Sequence, residues 1–324
     1  MTGTMVTLSD IRAAQSRLQG VATRTRLIEF PLCAEDPRQL FLKPENQQPI
    51  GAFKLRGAYN KVSSLSQEER QRGVITYSSG NHAQGVAYAA RALGVKAVIV
   101  MPSNAPAIKR EATVALGAEV VTVGPGSTER QVKAEELAAQ YGYIIVPPYN
   151  DEHIIAGQGT MGLEILDDLP NVETVLAPIG GGGMLSGIAT AIKLSKPSVK
   201  VIGVEPELAS DAQASLRAGH IVDRPAEEVS RTIADGLRTQ SIGPINFAHI
   251  QKYVDDIITV TEDEIRLAMK HLAASPATVA EPSGAVAVAG FIFHASQLPQ
   301  TKKNVAVISG GNIDPALLEQ LRHG

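Results

Sequence analysis

The 324-residue chain has no tryptophan, 4% aromatic residues and one cysteine, Cys33. A single cysteine excludes an internal disulfide and a cysteine-based zinc cluster, which fits a reducing compartment, with the cytoplasm as default. Neither sign of charge dominates: 30 Lys and Arg stand against 33 Asp and Glu, a formal charge of −3. That balance offers no basic field to nucleic acid or to an anionic membrane. Long apolar runs are lacking as well. The uncharged stretch 174–192 is interrupted by Pro178 and four glycines, and the one at 282–293 falls short of the ~20 residues that cross a bilayer. The first ten residues show no positive segment ahead of an apolar core, so no secretory signal is expected. Solenoid-period repeats, low-complexity tracts and Pro/Ser-rich linkers are also missing. These absences leave a small molecule as the expected partner.

At ~150 residues per domain the length fits two domains, and a chain of this size buries enough surface to fold without disulfides or structural metals. Glycine is plentiful: 29 residues, about 9% against a usual ~7%.

A short β-branched run, a glycine or serine turn, an alanine-rich helical pattern and a further β-branched run recur along the chain. Residues 73–101 read Val-Ile-Thr-Tyr, Ser-Ser-Gly-Asn-His, an alanine-rich stretch closed by Gly94, and Val-Lys-Ala-Val-Ile-Val. Residues 174–205 repeat this order around four consecutive glycines, and helix-to-strand units fit 108–123 and 129–146. Strands alternating with helices imply parallel sheets covered on both faces, hence a doubly wound α/β architecture. The run of units places a smaller domain at 73–150, inserted in a larger one formed by 1–72 and 151–324.

Four turns could carry chemistry. Gly180-Gly181-Gly182-Gly183 lies between a buried-type strand and a helical pattern that begins at Met184. Free N–H groups and a partial positive charge at a helix start suit a phosphate, and glycines let the backbone approach it. A tight turn would also explain one glycine, but four in a row cost much chain entropy. No Gly-Lys-Ser/Thr follows, and the spacing is not Gly-x-Gly-x-x-Gly, so neither a Walker loop nor a dinucleotide fold is indicated. Ser78-Ser79-Gly80-Asn81-His82 offers hydroxyls, an amide and backbone N–H groups suited to a carboxylate, or it serves as an ordinary helix cap. Lys54, between Phe53 and Leu55, is either a solvated surface charge or an amine whose pKa is lowered in an apolar setting. The fourth turn, Ser309-Gly310-Gly311-Asn312, again ends a β-branched run. In open parallel sheets ligands collect at the carboxyl ends of strands, where such turns lie.

In sequence order, Phe53-Lys54 with Arg56-Gly57-Ala58, Ser79-Gly80-Asn81-His82, the tetraglycine and Ser309-Gly310-Gly311-Asn312 resemble the fold type II pyridoxal-phosphate enzymes, closest to the serine/threonine dehydratase and serine racemase group. The resemblance runs from about Thr23 to Asp314 and includes Ala156-Gly157-Gln158-Gly159-Thr160. It implies a tryptophan synthase β-like fold and pyridoxal 5′-phosphate (PLP) as cofactor. A regulatory extension beyond Asn312 is not expected.

The same resemblance makes Lys54 the lysine that holds the cofactor and the base at Cα. It assigns Gly180, Gly181, Gly182, Gly183 and Met184 to the phosphate, Asn81 to the ring hydroxyl, Phe53 to the ring face and Ser309 to the ring nitrogen. Ser78, Ser79, Asn81 and His82 are implied to bind the substrate. A hydroxyl at the ring nitrogen does not force its protonation, which favours loss of a β-leaving group. The implied reaction is dehydration of serine, threonine or 3-hydroxyaspartate to a 2-oxo acid and ammonia.

Two alternatives accompany it. A serine at position 79 occupies the place of a second base opposite Lys54 in the family's racemases, so serine or aspartate racemisation is one. The other is a protein that binds PLP or another phospholigand without turnover. Glu205, Ala209 and Asp211 read alone as a solvated loop, whereas the racemase group uses the matching positions for Mg²⁺, Ca²⁺ or Mn²⁺. A homodimer is implied too. Ala52 stands where the family usually has serine, and Pro49-Ile50 replace a polar pair that helps contact a nucleotide, so activation by ATP is not expected.

Overall fold

The computed structural model describes residues 4–78, 80–105, 107–124 and 127–323. Ten strands are present among these: β1 (Ile28–Phe30), β2 (Gln39–Pro44), β3 (Val74–Tyr77), β4 (Ala97–Pro102), β5 (Glu119–Val123), β6 (Ile144–Ile145), β7 (Thr174–Pro178), β8 (Lys200–Pro206), β9 (Asp256–Val260) and β10 (Lys303–Ile308). They form a six-stranded sheet ordered β1-β2-β10-β7-β8-β9 and a four-stranded sheet ordered β5-β4-β3-β6. Every pairing is parallel except β1 with β2, an antiparallel edge that the sequence pattern did not indicate. The chain begins the larger sheet, leaves to build all four strands of the smaller one, and returns at β7.

Side-chain alternation explains why both faces are covered. Val175 and Ala177 of β7, with Val305 and Val307 of β10, enter the core that contains the Gly183–Ser195 helix. Leu176, Ala306 and Ile308 turn to the opposite core, shared with the Pro282–Phe293 helix. Such strands have no solvent face and need no polar alternation. The smaller sheet packs in the same way against the Asn81–Leu93 helix, whose Ala83, Val86, Ala87 and Ala90 are buried and whose end is fixed by Gly94 at φ +66°. Ala58 and Val62 of the Lys54–Ser64 helix share that core. Of the described residues, no helix is long and apolar enough to cross a membrane.

Candidate active site

Parallel strands bring their carboxyl ends to one side, and the glycine turns that follow β3, β7 and β10 meet there. Lys54 reaches the same place through an isolated bridge between Ala52 and Gly310 and through the Phe53 N–H, which donates to the Ser309 carbonyl at 3.0 Å. A cavity of about 400 Å³ results. Its walls include Phe53 and Lys54 on one element and Ser78, Asn81 and His82 on another. Gly180 to Gly183, Met184 and Ser309 complete the set expected from the sequence. Ser79 lies outside the described residues.

Lys54 begins its helix, and Nζ donates to the Pro148 carbonyl at 2.7 Å. Burial pulls its pKa down to about 8, because the ammonium loses solvation and no nearby acid offsets that loss. Phe53 places its ring centroid 5.3 Å from Nζ. The glycines form a cradle that side chains would fill. A Cβ on Gly181 would fall 2.4 Å from the Tyr149 ring, and Gly182, at φ +94°, would place one 2.9 Å from Asn246. The Gly183–Ser195 helix starts directly behind, with its first N–H groups free for an anion. This donor set fits a phosphate monoester, so the residues present suit PLP.

Ser309 is 4% exposed and donates its hydroxyl to the Ser283 carbonyl at 3.3 Å. Asn81 is held at both ends: Nδ2 donates to Glu281 Oε1 at 2.5 Å, and Oδ1 accepts from Asn312 Nδ2 at 2.7 Å. The Ser78 hydroxyl accepts from the Gly80 N–H at 3.3 Å. His82 is buried with Nε2 3.0 Å from the Val146 carbonyl, and burial and Lys54 push its pKa down to about 3. Its imidazole is therefore neutral, with the Nε2 proton on Val146 and only a lone pair at Nδ1. A carboxylate here would be met by the free N–H groups at the start of the Asn81–Leu93 helix rather than by a histidine cation.

The chain matches the family model for pyridoxal-phosphate dependent enzymes over residues 18–310. It belongs to that family. Among curated members it is 46% identical over 321 residues to an L-threonine ammonia-lyase of Thermotoga maritima, an alignment spanning 98% of this chain and 78% of the relative. It is 40% identical over 309 residues to an L-threo-3-hydroxyaspartate ammonia-lyase of Saccharomyces cerevisiae, covering 95% and 94% of the two chains. The serine racemase of Dictyostelium discoideum superposes with a TM-score of 0.88 at 36% identity, over 96% of this chain and 100% of that one.

This pyridoxal-phosphate enzyme also places groups at the cavity that sequence reasoning missed. Glu281, Tyr149, Lys109, Asp235 and Arg130 line it. Lys109, on the helix after β4, pairs at 2.5 Å with Asp235, which opens the single helical turn Asp235–Leu237. Arg130 is half-buried, its Nε has no partner among the described residues, and burial lowers its pKa. None of these carries a local motif.

Glu205 lies near the end of β8, and Asp211 opens the Asp211–Ala218 helix close enough for the two carboxylates to act on each other. Both carboxylates are fully buried; Glu205 accepts from the Ala212 and Gln213 N–H groups at 3.1 and 2.8 Å, whereas among the described residues neither oxygen of Asp211 has a partner at hydrogen-bond geometry, the backbone N–H groups of Asp211 and Ile242 acting on it only weakly. Burial and the Asp211 charge push Glu205 up, and burial pushes Asp211 up to about 7. Orphaned buried oxygens beside a second carboxylate fit a hard cation. No cluster of three or more His, Cys, Asp or Glu side chains is found among the described residues, so the two carboxylates are the only side chains of that kind gathered here.

Proposed function

We propose that the enzyme removes water from a β-hydroxy amino acid and releases a 2-oxo acid and ammonia. One observation carries the reading: a single cavity holds an amine of lowered pKa, Lys54, together with the glycine cradle, Asn81 and the Ser309 hydroxyl. PLP, when bound, supplies the electron sink that lets the Cα–H bond of an amino acid break. Lys54 would hold the cofactor and take the Cα proton. Lys54 would pass that proton to the hydroxyl departing from Cβ, so that water is lost and the product, on taking up one water, yields the 2-oxo acid and ammonia. Gly180 to Gly183 and Met184 would hold the phosphate, Phe53 would pack on the ring and Ser309 would serve the ring nitrogen. The substrate carboxylate would be bound by Ser78, Ser79, Asn81 and His82, with the first N–H groups of the Asn81–Leu93 helix available to it. Arg130 favours a substrate with a second carboxylate, 3-hydroxyaspartate, over serine or threonine, because an unpaired guanidinium at the cavity wall gains most from an anion.

Three further features belong to this reading. Glu205 and Asp211, with Ala209 as the family resemblance implies, would hold a divalent cation, Mg²⁺ or else Ca²⁺ or Mn²⁺, a reading supported by the Asp211 oxygens that lack hydrogen-bond partners among the described residues. The functional division is 1–72 with 151–324 for the larger domain and 73–150 for the smaller. The enzyme works in the cytoplasm as a homodimer.

The deciding experiment is reconstitution with PLP followed by borohydride. An absorbance band near the visible edge that reduction abolishes, and that Lys54→Ala lacks, together with 2-oxo acid release from a β-hydroxy amino acid, is expected. Purified protein that binds no PLP overturns the reading, and binding without turnover leaves a cofactor-binding protein. Likeness to a serine racemase favours a second activity, exchange of the Cα proton between Lys54 and Ser79. Enantiomer exchange lost in Ser79→Ala while dehydration persists would support it; no exchange in the parent enzyme removes it.

A further inference from the structure

Glu281 precedes the Pro282–Phe293 helix, yet its side chain does not cap that helix. It is 2% exposed and turned toward the cavity, where Oε1 accepts from Asn81 Nδ2. Gly310 makes room for it: a Cβ there would lie 2.3 Å from Oε1. A buried carboxyl tied to a neutral amide rather than to a cation calls for an explanation.

The hydrogen bonds around it run in one sense only. The Ile50 carbonyl can only accept, so the Asn312 group 2.9 Å from it is Nδ2. That same nitrogen also donates to Asn81, so the Asn81 atom facing it is Oδ1. Asn81 Nδ2 is thereby turned to Glu281, which accepts. An amide nitrogen bears two N–H groups, and one is taken by Glu281. Asn81 lines the cavity, so the second N–H is left for an acceptor inside it.

We propose that Glu281 is a positioning residue: with Asn312 it locks the Asn81 amide so that an N–H, never the carbonyl, is presented to the ring hydroxyl oxygen of the cofactor. This rests on the PLP reading above. An aryloxide oxygen is an acceptor, and an unlocked amide would spend part of its time presenting Oδ1 and repelling it.

The test measures affinity of the apoenzyme for PLP and for the analogue that carries hydrogen in place of the ring hydroxyl. Glu281→Ala should weaken PLP about tenfold and the analogue by less than about twofold. Glu281→Gln retains an acceptor oxygen and should restore PLP affinity to within about twofold of the parent. In an Asn81→Ala background, Glu281→Ala should have no further effect. Equal losses for both ligands, no loss of PLP affinity, or a full additive loss in the Asn81→Ala background overturns the proposal. Should Glu281→Ala not fold, Glu281→Leu takes its place in the same comparison. Borohydride trapping of PLP on Lys54 in the parent keeps the two readings apart: with trapping intact, a failed comparison counts against Glu281 alone, and without trapping both fall.

Discussion

The Lys54 ammonium donates to the Pro148 carbonyl at 2.7 Å, and no acid is near enough to hold its proton. Burial alone therefore sets its pKa, at about 8. Below that pH the amine is protonated and cannot attack an aldehyde; above it the neutral, nucleophilic form dominates. The rate at which apoenzyme captures PLP should rise as pH increases through about 8 and then level off, where an exposed lysine would keep gaining to ~10.4. Stopped-flow absorbance over a pH series reads the midpoint, and a midpoint near that of a free lysine contradicts the buried setting.

Arg130 should govern substrate choice. Arg130→Met is expected to lower kcat/KM for 3-hydroxyaspartate by about 100-fold and for serine by less than about threefold, since only the first loses a charge-assisted pair. Parallel assays with the two substrates decide it, and equal losses would assign Arg130 a merely structural part.

Two residues beyond Lys54 on the same helix, Arg56 is fully buried between Glu45 and Glu164, at 2.8 Å from each. Lys43, also buried, completes the group through Glu164. Two cations face two carboxylates, so removing one cation strands a buried negative charge. Arg56→Met should destabilise the apoenzyme by ~3–5 kcal/mol in urea unfolding. It should also weaken PLP binding, because this group anchors the helix that Lys54 begins. An unchanged midpoint would mean that water reaches the cluster.

If a cation relieves the partnerless Asp211 oxygens, chelator should lower the melting temperature by on the order of 5 °C, and Mg²⁺ should restore it. Asp211→Asn should melt at a temperature indifferent to both treatments. A parent protein equally indifferent returns Glu205 and Asp211 to an ordinary buried pair.

Strands such as β4 and β7 were legible because the runs 97–102 and 174–178 are buried on both faces and therefore apolar throughout, whereas β2 and β9 were not read. The glycine turn at the cavity was legible because four consecutive glycines leave a mark in the sequence that no side-chain code could hide. Edge strand β1 was not: Ile28–Phe30 is three residues long and only half-buried, too short for a pattern. Glu281 and Arg130 were missed for another reason. Each acts on the cavity from a distant part of the chain, and nothing within a few residues of either distinguishes it from a helix-start acid or a surface arginine. Lys54 sat between the two cases; the Phe-Lys-Leu context allowed burial, but only the approach of Ser309 and Pro148 fixes it.

The peptide whose carbonyl receives Asn312 is followed by Gly51 at φ +72°, and a Cβ there would fall 2.4 Å from Asn312 Oδ1. Neither Ile50 nor Gly51 belongs to the cavity wall. Yet the direction in which that one carbonyl points is copied, amide by amide, to Asn81. The site is thus sensitive to a turn it never touches: a substitution that swung the carbonyl away would free both amides to reverse, and would exchange a donor for an acceptor at the wall while leaving its shape intact.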